Sequence, residues 1–204
     1  MLTAFTAGLI LITISELGDK TFFIAVLLAM RHPPQLVFLG VATALAAMTG
    51  VSVLMGQIVA LLPKAVIHYG GIGLFLILGT NLIYTASQMP HNQGEDVMEE
   101  AQLTLNTAQR DYQPINPIGI VCTSFLLTFV AEWGDRTQVA TITLAAANDL
   151  YGVMVGAIIG HIICTLIAIL CGRWCANRIS EKMIHYIGGG LFWVFAFVAI
   201  AEGV

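Results

Sequence analysis

The chain has 204 residues, 58% of them hydrophobic and 10% charged, with a formal net charge of −4. Soluble domains carry about 25% charged residues, so this composition excludes an ordinary water-soluble enzyme or a nucleic-acid-binding module. A mean hydropathy of +0.88 points instead to an all-α integral membrane protein, partnered by the lipid bilayer.

A membrane span needs about 20 mainly apolar residues, and six such helices are expected. The first runs from Thr3 to Met30. No basic region precedes it and no small-residue cleavage site follows, so it is expected to be a retained helix and not a signal peptide. It carries Glu16, Asp19 and Lys20 in the middle of the stretch SELGDKTFF. The second and third helices, Leu36 to Leu62 and His68 to Gln88, contain no Asp, Glu, Lys or Arg. A linker follows, in which Glu95 to Asp111 holds five acids and one base. Within it Val97, Ala101, Leu105, Ala108 and Tyr112 recur at helical spacing, so a short amphipathic helix is expected in an otherwise solvated segment.

The fourth helix, Pro117 to Ala147, carries a second charged stretch, AEWGDRTQV. The fifth, Tyr151 to Asn177, opens on Gly152, Gly156 and Gly160, a ridge of small residues on which another helix can pack closely. The sixth runs from His185 to Gly203. Of the four cysteines, Cys171 and Cys175 are spaced C-x-x-x-C, which matches no metal or redox motif; Cys122 and Cys164 are expected, like them, to be packing residues.

The chain is written twice. Glu16 and Glu132 are 116 residues apart, as are Gly18 and Gly134, Asp19 and Asp135, Lys20 and Arg136, and Thr21 and Thr137. The same offset pairs Gly40 with Gly156 and Thr49 with Thr165. One extra residue aligns HYGGIGLF at His68 with HYIGGGLF at His185. The halves are residues 1–89 and 117–204, joined by the acidic linker 90–116. Each holds three expected helices, an odd number, so the second half enters the bilayer in the opposite sense, as in the inverted repeats of secondary transporters. Arg31, Arg110, Arg173, Arg178 and Lys182 would fall on one side and Lys64 on the other. The basic side is expected to be cytoplasmic, with the linker inside and both termini outside.

Charges buried mid-membrane cost about 2.5–3.5 kcal/mol on insertion scales and mark ion or proton routes. Glu16 and Asp19 are spaced i, i+3, which puts both on one helix face, and Lys20 stands i+4 from Glu16, where an ion pair is favoured. Glu132, Asp135 and Arg136 repeat that spacing. Brought together, four carboxylates and two cations leave a charge of −2, the complement of one divalent ion. Carboxylates with the hydroxyls of Thr21 and Thr137 make a hard-ligand site suited to Ca²⁺, Mn²⁺ or Mg²⁺. Gly18 and Gly134 are unfavourable inside a helix, and local unwinding there would offer carbonyls to an ion. Lys20 and Arg136 are expected mainly to pair with the acids, with charge substitution as the second role.

Thr49 and Thr165 either line the pathway or bond their own helix backbone. Asn81, Gln138 and Thr141 are expected to make helix–helix hydrogen bonds. His161 has Leu45 at its repeat position, so symmetry does not support a site role; a packed or hydrogen-bonded histidine is expected, with a nitrogen ligand favouring Mn²⁺ over Ca²⁺ as the alternative.

Two copies of Glu-x-Gly-Asp-(Lys/Arg)-Thr, at Glu16 to Thr21 and Glu132 to Thr137, resemble the signature of the transmembrane protein 165 family. That family comprises manganese and calcium transporters held to work as cation/proton antiporters. The resemblance covers the whole chain and implies that Glu16, Asp19, Glu132 and Asp135 bind the transported metal. It also implies a compact bacterial member in the inner (cell) membrane, exporting Mn²⁺ from the cytoplasm in exchange for protons, with no resident cofactor. A calcium/proton antiporter is the first alternative and a divalent cation channel, with the acids as a selectivity ring, the second. Neither a nucleotide-binding loop nor an H-E-x-x-H motif is present, so a pump or a metalloenzyme is not expected.

Overall fold

The protein's structure, a computed structural model, describes residues 1–88, 99, 101–107, 116–176 and 181–203, with side chains outside that description at 171–176, 181 and 202. Among the described residues there is no strand. The helices in chain order are α1 (Leu2–Glu16), α2 (Lys20–Arg31), α3 (Pro34–Val59), α4 (Lys64–Gln88), α5 (101–107), α6 (Pro117–Ala131), α7 (Arg136–Ala147), α8 (Leu150–Ala176) and α9 (Glu181–Glu202).

Local chemistry sets several ends. Pro34 opens α3 and Pro117 opens α6, positions where the missing N–H would have no helical partner anyway. Asn116 caps α6 by accepting from the Gly119 N–H at 2.6 Å, the usual way of satisfying a free amide at a helix start. Pro63 stands between α3 and α4.

Among the described residues, four helices are long and apolar enough to cross a membrane, over Pro34–Val59, Lys64–Gln88, Leu150–Leu170 and Lys182–Ala201. The expected first and fourth spans are not continuous, which corrects the sequence reading. Thr3 to Met30 is divided between α1 and α2, and Pro117 to Ala147 between α6 and α7, the latter pair bent by 75°. The breaks fall on the two motif glycines, Gly18 at φ 78° and Gly134 at φ 84°. A left-handed residue cannot continue a right-handed helix, and glycine is the residue that adopts it without a Cβ clash.

The two halves interlock. The first broken helix packs against the opposite half's second helix: α1 and α2 against α8, and α6 and α7 against α3. The third helices, α4 and α9, pack on each other. Small residues set the contacts. A Cβ added at Gly156 would meet the carbonyl oxygen of Phe5, and one added at Gly40 would meet that of Val121 at 2.6 Å. Phe5 and Val121 stand 116 residues apart, as do the two glycines, so the repeat offset holds in the contacts as well as in the letters.

The core lies around α2, where Phe22 through Leu28 are all buried. It includes Ala101 and Leu105 of α5, both fully buried, while Arg31 donates to Asn106 at 3.1 Å. The linker thus contributes a helix to the core. Of the expected amphipathic face, Val97, Ala108 and Tyr112 lie outside the described residues, as do Arg110 and Arg178 and the side chains of Cys171, Cys175 and Arg173.

Candidate metal centre

Both breaks open on the same place. Glu16 ends α1, Asp19 is the residue before α2, Glu132 follows α6 and Asp135 precedes α7. Carboxylate oxygens of Glu16, Asp19 and Glu132 all lie within 4.8 Å of one another, close enough for one ion to touch all three. Asp135 lies beside that trio and outside it. Glu16 and Glu132 are each only 2% exposed, while Asp19 is partly exposed.

Cations and hydroxyls from both halves tie the cluster together. The Arg136 guanidinium donates to Asp19 at 3.0 Å and stands 3.8 Å from Asp135, bridging the two motifs. Thr21 donates to Glu16 and Thr137 to Glu132, each at 3.3 Å. Thr137 also stands 3.3 Å from Asp135. Beside these residues a cleft lined by Ser15, Gly18, Asp19, Asp135, Arg136 and Thr137 leaves about 20 Å³ for the centre of a water-sized sphere, enough for about one water or a bare ion.

The remaining polar residues sort differently. Thr49 and Thr165 donate to the carbonyls of Leu45 and His161 on their own helices, at 2.8 Å each. Thr165 also borders a small enclosed space beside Glu16. Gln138 accepts from the Gly134 N–H at 2.7 Å and donates to the Met48 sulfur on α3 at 3.2 Å, so it holds the second break in place as well as bridging helices. Thr141 bonds back to the Thr137 carbonyl at 2.7 Å, and Asn81 is exposed on α4. Cys164 is buried and donates to the Thr13 carbonyl, while Cys122 is exposed.

His161 is packed, as expected. It is buried, but its Nδ1 makes no hydrogen bond and points at Glu16 Oε1, 3.7 Å away. Sequence symmetry gave no hint of this contact, because the two residues stand 145 positions apart and the repeat counterpart is Leu45. Ser124 and Thr128 were also not singled out. Their buried hydroxyls, on the same face of α6 as Glu132, have no hydrogen-bond partner either. Their i, i+4, i+8 spacing with Glu132 was the available signal.

Comparison with known proteins places this geometry. Residues 4–90 and 120–204 match the family described as the divalent cation/proton antiporter GDT1. A GDT1-like protein of Synechocystis is 54% identical over 200 residues, covering 98% of this chain and 97% of the relative. The chloroplastic PAM71-homolog protein of Arabidopsis thaliana is 41% identical over 95% of this chain, and a chloroplastic GDT1-like protein of rice 42% identical over 99%. The chain spans only 58% and 62% of those two plant proteins. No solved structure matches. The resemblance carried by the doubled motif is thereby borne out: the chain is a multi-pass membrane protein that belongs to the GDT1 family of divalent cation/proton antiporters.

Proposed function

We propose that the protein exports a divalent metal ion, Mn²⁺ ahead of Ca²⁺, from the cytoplasm in exchange for protons. The observation that carries the reading is the cluster of Glu16, Asp19 and Glu132, contributed by both halves where the helices break, with Glu16 and Glu132 buried. An ion of charge +2 seated there neutralises the excess of four carboxylates over Lys20 and Arg136. Oxygen donors of this kind suit hard and borderline divalent ions, and the carbonyls freed at Gly18 and Gly134 add to them.

When the ion leaves, the site is left with uncompensated negative charge in a setting poor in water, and proton uptake restores neutrality. The same carboxylates then carry metal one way and protons the other, so no separate proton path is needed. In this reading the chain forms two inverted three-helix repeats, 1–89 and 117–204, with α1–α2 and α6–α7 each counting as one broken span. Rocking of one repeat against the other would expose the site to each side in turn. The linker 90–116 lies in the cytoplasm, both termini lie outside, and the membrane is the bacterial cell membrane. The all-oxygen trio equally suits Ca²⁺, which makes calcium/proton exchange the second reading.

The test uses purified protein in liposomes holding a pH-sensitive dye, with Mn²⁺ and then Ca²⁺ added outside. Metal-dependent proton flux is expected, lost by about a hundredfold or more in Glu16→Gln and Glu132→Gln, since removing a ligand exceeds the 10–100-fold effect of outer groups. Normal exchange by well-folded variants would overturn the model, and metal entry without proton movement would indicate a channel.

A further inference from the structure

The Glu16 side of the site differs from the Glu132 side in one donor type. On α8, His161 is 6% exposed, and its Nδ1 has no hydrogen-bond partner. Glu16 Oε1, likewise buried and without a hydrogen bond, stands 3.7 Å away. At that distance the two atoms are too far apart to bond each other well. They are well placed to share a third atom. With metal–ligand bonds of about 2.1 Å, two donors sit about 3.0 Å apart when adjacent on an ion and about 4.2 Å apart when opposite. The observed separation falls between these limits.

We propose that the cargo ion is held in part between His161 Nδ1 and Glu16 Oε1, so that a nitrogen donor biases selection toward Mn²⁺ over Ca²⁺. The inference deepens the function proposed above and rests on it. Glu16 is the shared member: it belongs to the trio with Asp19 and Glu132 and also faces the imidazole, so an ion can be passed between the two groupings without leaving Glu16. Imidazole is a good ligand for first-row transition ions and a poor one for Ca²⁺, which takes oxygen. A purely carboxylate cage would not discriminate in that way. The repeat position holds Leu45, so the duplication supplies no matching imidazole beside Glu132 and the selecting contact lies on the Glu16 side. The orphan oxygens of Glu132, Thr128 and Ser124 on the other side are donors that accept either ion.

The experiment is pulsed EPR on the full-length protein in lipid nanodiscs, loaded with Mn²⁺, together with Mn²⁺ and Ca²⁺ titrations. Bound Mn²⁺ is expected to show modulation from a directly coordinated nitrogen, absent in His161→Leu and His161→Gln. In both variants Mn²⁺ affinity is expected to fall about tenfold or more, with Ca²⁺ affinity changed less than about threefold. Bound Mn²⁺ without nitrogen modulation, modulation that survives in both variants, or an equal loss of the two ions would overturn the inference and leave the carboxylate site standing. Absence of saturable Mn²⁺ binding to the folded wild-type protein would overturn this inference and the proposed function together. The wild-type spectrum decides by itself even where one variant fails to fold.

Discussion

The two motifs are nearly identical in letters and unequal in place. In the first, Glu16 and Asp19 both join the clustered trio; in the second, Glu132 joins it while Asp135 stands outside, beside Arg136 and Thr137. Arg136 crosses to Asp19 of the other half. The second break is tied by Gln138, whose counterpart in the first is the buried Phe22. Glu16 faces an imidazole, and Glu132 faces no such group among the described residues. A duplicated sequence therefore supplies a cluster whose two sides differ, with two of the trio's carboxylates from the first motif and one from the second.

Three sets of substitutions sharpen or break that contrast. The largest effect is expected from Asp19→Asn set beside Asp135→Asn. Loss of Asp19 removes a member of the trio and should lower Mn²⁺ affinity about a hundredfold, against about tenfold for Asp135, the range seen when groups around a metal are altered. Equal losses in calorimetric titrations would show the two acids to be equivalent after all.

Next comes packing. Gly156→Ala places a methyl against the Phe5 backbone and Gly40→Ala one against Val121, and overpacking of this sort costs about 1–3 kcal/mol. Gly50→Ala, on the open side of α3 with nothing within 4 Å, should instead stabilise the helix by about 0.5–1 kcal/mol. Thermal unfolding in detergent separates them, and matched losses at Gly40 and Gly156 are the signature of equivalent contacts in both halves. The smallest effect is expected for Thr49→Val and Thr165→Val. Their hydroxyls are spent on their own helices, so exchange rates should change less than about twofold, by the few tenths of a kcal/mol such local bonds contribute.

Much of this arrangement was legible in the residues. Charge spacing within an apolar run and the 116-residue offset identified the clustered acids, because both are local or periodic signals. Continuity of the first and fourth helices was misread. Mainly apolar stretches flank Glu16 to Lys20 and Glu132 to Arg136 on both sides, and hydrophobic pattern does not report backbone dihedrals. The helix-interior glycines were the better guide, since their cost needed an explanation. The inequality of Asp19 and Asp135, and the approach of His161 to Glu16, depend on how α8 and α7 pack across the repeat. No spacing along the chain encodes that.

The bridge from Arg136 to Asp19 also bears on how the protein is made. Its two ends lie 117 residues apart, so the first repeat leaves the ribosome well before that partner exists. Until then Asp19 lacks the guanidinium that balances it, and a carboxylate in lipid costs about 2.5–3.5 kcal/mol even on the lenient insertion scale. Membrane insertion of the first half is then provisional, completed only when the second half docks. A truncated product would keep the Thr21 bond to Glu16 but lack the guanidinium beside Asp19.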